Sequence, residues 1–106
     1  MAFDINETLA NMLGAIKISV GENWGDVKST MNEFMQSHKG RLELLADMRI
    51  KGQIDDDDLK DRLEDEKLLL DSELHDIAII SKEIAQNAAN AAIDVLQKTI
   101  FAAIKL

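Results

Sequence analysis

Glu66 stands where an apolar residue is expected. It falls in phase with Leu59, Leu63, Leu70 and Ile77, at the steps of three and four that mark one face of a helix. A carboxylate on such a face is costly unless it is neutralised or paired. A buried carboxylate can act as a general acid or base or hold a metal, but Arg41 offers a plainer role. If the two residues lie on adjacent antiparallel helices, they form an ion pair across the seam. His38 is set in the same way among Val27, Met31, Phe34, Leu42 and Leu45. No second histidine and no carboxylate lies three or four residues from it, so a core histidine satisfied by its neighbours is expected in place of a ligand or a base. His75 follows Asp71 by one helical turn but points away from the Glu66 face at helical spacing.

Other chemistry finds little support. A di-metal carboxylate site needs Glu-x-x-His pairs directed between helices, and the sequence contains none. The absence of cysteine closes thiolate, redox and disulfide chemistry. The stretch from Gly21 to Ser29 carries two glycines and Lys28, without the lysine placement or the preceding strand of a phosphate loop. No strained nucleophile turn is recognisable. Asn6-Glu7-Thr8 matches a glycosylation acceptor, but no secretory signal precedes it. Met12, Met31, Met35 and Met48 read as gap fillers of a helical core. No catalytic residue, cofactor or metal ligand is therefore expected.

The elements that hold these side chains are helical. The chain of 106 residues has no proline, no tyrosine and only five glycines, and its length suits one domain, residues 1–106, with a modest core. A first helix is expected over about 4–20, capped by Asp4 with Glu7 in the reciprocal place and carrying Ile5, Leu9, Met12, Leu13, Ile16 and Val20 on one face. A second opens near Asn23 and runs to about 51, with Gly40 weakening it locally. Then Gly52 suits a left-handed position just past a helix end, and Asp55 with Asp58 forms a capping box for a third helix. Ile54 and Leu59 fall where a hydrophobic staple would close that first turn. No later stop signal is recognisable, so the third helix is expected over about 55–105, ~75 Å long at 1.5 Å per residue. The fold expected is all-α: an antiparallel helical hairpin with an additional N-terminal helix, a three-helix bundle that oligomerises through its long C-terminal helix. In the hairpin, paired positions sum to about 106, which brings Arg41 to Asp65 and Glu66 and sets Arg49 and Lys51 beside the aspartates.

Charge is concentrated at one place. Between Asp55 and Asp76 eleven acidic residues face three basic ones, whereas the rest of the chain is balanced at nine each, so this segment carries the whole net charge of −8. Asp55, Asp56, Asp57, Asp58, Asp61, Glu64 and Asp65 make an acidic surface that repels nucleic acid and anionic membrane, and direct nucleic-acid binding is not expected. No run of about 18 apolar residues occurs, and no signal peptide is recognised; a soluble cytoplasmic protein is expected.

The third helix carries a second apolar face. Leu68, Ile79, Ile93, Ile100, Phe101 and Ile104 fall roughly opposite the stripe of Leu59, Leu63, Leu70 and Leu74, and two apolar faces require two partners. The function expected is that of a non-enzymatic interaction or assembly protein, an adaptor, chaperone-like or structural subunit. It would work through helix faces, as a homo-oligomer with a dimer favoured or against a protein partner. The alternatives are an acidic decoy that occupies a basic nucleic-acid-binding groove on another protein, and a carboxylate metal-binding bundle.

Overall fold

Lys51 to Asp55 turn the chain back on itself with each backbone N–H satisfied locally. In the computed structural model, which describes residues 3–104, helix α2 (Trp24–Ile50) ends and helix α3 (Asp56–His75) begins around this turn. Gly52 takes φ +76°, its N–H donates to the Arg49 carbonyl at 3.1 Å, and the Gln53 N–H donates to the Met48 carbonyl at 2.8 Å. These are the paired bonds of a Schellman ending. Asp55 then accepts from the Asp58 N–H at 2.8 Å and Asp58 accepts from the Asp55 N–H at 3.3 Å, which completes the capping box. Ile54 and Leu59 are both buried, as the staple requires.

Helix α1 (Ile5–Val20) opens on Asp4, whose carboxylate accepts from the Glu7 N–H at 3.2 Å. Its face of Ile5, Leu9, Met12, Ile16 and Val20 is buried. Thr8 is buried among them with its hydroxyl donating to the Asp4 carbonyl at 2.7 Å, so the polar group is not left unpaired. Gly21 at φ +60° ends the helix. A 3-10 turn, Gly21–Asn23, then feeds directly into α2, and the Asn23 side chain makes no capping bond. Gly40 lies within α2 without ending it.

The expectation of one helix over about 55–105 is corrected. The chain leaves the α3 axis after His75, turns through Asp76–Ser81, and forms α4 (Lys82–Ile104), giving four α-helices among the described residues. Ile80 is buried in the turn, its N–H bonded to the Ile77 carbonyl at 2.9 Å, and the Ser81 hydroxyl accepts from the Ile84 N–H at 3.2 Å. Three isoleucines among four residues weaken the helix here. The larger reason is burial: a rod of that length would leave the apolar face of its second half in water, whereas a reversal lays it on the chain's own helices.

The packing closes on itself. Helix α1 contacts α2 and α4, α3 contacts α2 and α4, α2 also touches α4, and α1 and α3 do not meet. The α1–α4 contact is the most extensive, and the α4 face of Ala85, Ala88, Ala89 and Ala92 is fully buried, small side chains that let two helix backbones approach closely. The buried apolar residues of all four helices form one cluster, within a body of 41 × 23 × 20 Å.

Candidate interaction surface

The two titratable residues singled out by their apolar settings are both satisfied inside the fold. Arg41 grips Glu66 with two bonds, Nε to Oε1 at 2.5 Å and Nη2 to Oε2 at 3.0 Å. The carboxylate is buried while the guanidinium side chain is 49 % exposed. This is the bidentate geometry in which arginine binds a carboxylate most strongly, and it uses both oxygens of Glu66. The Nδ1–H of His38 donates to the Phe34 carbonyl at 2.8 Å, and its ring stacks on Phe34 with centroids 3.9 Å apart. Neither residue lines the grooves described below. Among the described residues no three His, Asp or Glu side chains converge as a metal site.

The residues expected on a single association face are divided by the turn at Asp76–Ser81. Leu68, on α3, is 57 % exposed, and Ile79, in the turn, is 56 % exposed. Ile93 and Ile100 are buried, Ile100 completely. Their expected place on a face directed away from the chain's own helices is corrected, because reversal of α4 gives that face an intramolecular partner. Phe101 and Ile104 are partly buried against the core and, with Arg49 and Asp56, line a recess of about 230 Å³.

The acidic residues are all exposed, but several are already committed. Asp55 and Asp58 cap α3, Asp56 accepts from Arg49 Nε at 2.6 Å, and Glu64 pairs with Lys67 at 2.8 Å. Asp57, Asp61 and Asp65 have no ion-pair partner among the described residues.

The feature that the sequence reading missed is a groove along the α3–α4 seam. Three adjoining depressions run from Lys60 and Gln97 at one end, past Leu68, Ala89 and Asn90 in the middle, to His75 and Lys82 at the other. The largest, about 550 Å³, is at the Lys60 end. This lining shows α3 and α4 antiparallel, as their short connection requires. Leu68 projects at the groove's midpoint. The remaining exposed aliphatic side chains, Ile18, Leu44 and Leu69, fall outside the apolar stripes. Each was legible as an apolar residue on the polar side of its helix.

No protein-family model, no curated protein and no solved structure matches the chain. Among the described residues no helix is long and apolar enough to cross a membrane.

Proposed function

We propose that the protein is a non-enzymatic assembly subunit that works by presenting a helix face for association, with self-association into a dimer as its basic act. The observation that carries this reading is Leu68: a large aliphatic side chain more than half exposed at the middle of a groove that follows α3 and most of α4. Single exposed leucines are ordinary on protein surfaces, but a leucine centred on an extended groove supplies an anchor of the kind interfaces use. Ile79, in the turn, is a further exposed aliphatic side chain, and Phe101 with Ile104 lines a separate, smaller recess. A carboxylate metal-binding bundle has less support, since Glu66 spends both oxygens on Arg41. Sedimentation equilibrium of the full chain across the micromolar range tests the proposal; the expected result is a concentration-dependent dimer, and a monomer throughout overturns it.

A second reading draws on Asp57, Asp61 and Asp65, exposed and unpaired among the described residues on one helix. As an acidic decoy the protein would hold a basic nucleic-acid-binding partner through these carboxylates. Its binding to such a partner would then fall steeply with salt, whereas association through Leu68 would persist.

A further inference from the structure

The turn at Asp76–Ser81 closes the chain without any residue that demands a turn. It holds no glycine and no proline, no non-glycine residue among those described has positive φ, and Asp76 at its start keeps helical dihedrals, φ −70° and ψ −16°. Its central bond runs from the Ile80 N–H to the Ile77 carbonyl, while the N–H groups of Ala78 and Ile79, both exposed, donate to no backbone carbonyl among the described residues. Steps of three and four carry Leu74, Ile77, Ser81, Ile84, Ala88 and Ala92 along one side of a helix that runs straight on, and extending α3 in this way needs no new nucleus. What holds the reversal is burial, of Ile80 in the turn and of the α4 face against α1, α2 and α3. Burial is indifferent to which copy of the chain supplies the opposing surface.

We infer that two copies of this chain swap α4: in the dimer residues 76–81 run on as helix, α3 and α4 become one rod, and α4 packs on α1, α2 and α3 of the second copy. The inference rests on the self-association proposed above and goes beyond it in saying how the copies are joined. Every contact that α4 makes within one chain is remade between two, so the swap builds its interface from surfaces already shaped for each other. That interface includes Ala85, Ala88, Ala92, Leu96 and Ile100, all fully buried. The balance between the two forms is then set at the hinge. The rod gains the backbone bonds that Ala78 and Ile79 lack, and gives up the buried seat of Ile80 and the Ser81 cap. Charge agrees with the swap. The excess acid of the chain lies between Asp55 and Asp76, whereas α4 carries Lys82 and Lys98 against Glu83 and Asp94. In the swapped pair each acidic α3 still lies along a charge-balanced α4, and the dimer needs no contact of one acidic helix with another.

Amide hydrogen exchange is the test, measured on monomer and dimer separated by size exclusion after the full chain is refolded at high concentration. In the dimer the Ala78 and Ile79 amides exchange about tenfold more slowly than in the monomer, or slower still, because both enter helical bonds. Equal rates overturn the swap, and this readout needs no variant. Ala78→Pro supplies a second measurement. Proline suits the second position of the turn Ile77–Ile80, but within a helix it removes a bond and clashes with the Leu74 carbonyl, so it weakens dimerisation by about a hundredfold or more. The monomer of this variant unfolds no lower than the parent's, followed by circular dichroism. A dimer undiminished by Ala78→Pro overturns the swap. Leu68→Glu, on a face that the swap leaves exposed, keeps the dimer intact. A dimer with unprotected hinge amides that Leu68→Glu dissociates overturns the swap and leaves the assembly reading standing, with the two copies joined at the groove. A parent that is monomeric at every concentration overturns both.

Discussion

Two reversals of the chain, one between α2 and α3 and the other between α3 and α4, reach the same result by different means. At Lys51–Asp55 the information is local: a glycine at positive φ, paired Schellman bonds, a reciprocal capping box and a staple. The α2–α3 seam is then braced by two ion pairs between the helices, Arg41 with Glu66 and Arg49 with Asp56. At Asp76–Ser81 there is no glycine, one side-chain cap, and no ion pair between α3 and α4 among the described residues. Its anchor is Ile80, 4 % exposed. The first turn is written in its own residues, and the second is imposed by what its flanking helices bury.

The largest expected effect tests that distinction. Ile80→Ala removes the apolar anchor of the second turn and should destabilise by about 3 kcal/mol, the range of large-to-small core substitutions. Urea unfolding measures it. A loss below about 1 kcal/mol, the size of a single capping effect, would mean that the turn holds itself and that the contrast between the two reversals is false.

The same contrast explains which parts of the fold were legible. Gly52, Asp55, Asp58 and the Arg41–Glu66 pair could be read because their partners lie within a few residues or are placed by one well-marked hairpin. The break at Asp76 could not, because counting helical phase from Leu59 carried straight through it. Phase counted through the break sets Ile93 and Ile100 on an outer face and passes over Ser81, which caps α4. Phase is a property of one continuous helix, and a turn resets it. Ser81 followed by Lys82 and Glu83 was the available start signal, but without a preceding glycine or proline it resembles any serine on a helix surface. The groove beside Leu68 shared this fate, since it exists only once α4 runs back along α3.

The next effect concerns the braces. Arg41→Ala leaves the buried Glu66 carboxylate without its partner and should cost about 2 kcal/mol, less than a fully buried pair would, because the guanidinium is half in water. Glu66→Leu should be close to neutral or stabilising, since it removes the charge that needed the partner. Calorimetric melting of both variants checks the pair. A large loss from Glu66→Leu with the fold intact would show that the carboxylate does more than brace the seam.

At the first turn itself, Gly52→Val should cost about 1 kcal/mol or more. Space is not the obstacle, because a Cβ at Gly52 meets no atom within 4 Å. The cost comes from forcing a β-branched residue to the positive φ of +76°. Gly52→Asn, which tolerates that region better, should recover part of the loss. If valine and asparagine melt alike, backbone conformation is not what makes this turn local.

The smallest effect compares the two caps directly. Asp55→Ala should cost about 1 kcal/mol, whereas Ser81→Ala should cost only about 0.5 kcal/mol. Asp55 both receives and is held by a reciprocal bond and places a negative charge at the positive end of the α3 dipole; Ser81 makes one neutral bond at 3.2 Å. Hydrogen exchange distinguishes the cases beyond their size. Asp55→Ala should speed exchange across the first turn of α3, because local bonds define that end. Ser81→Ala should leave the first turn of α4 largely protected, because Ile80 and Ala85, both buried, still hold the backbone from within. Equal fraying at the two helix starts would show that the second turn depends on its cap as much as the first does, and that burial alone does not hold it.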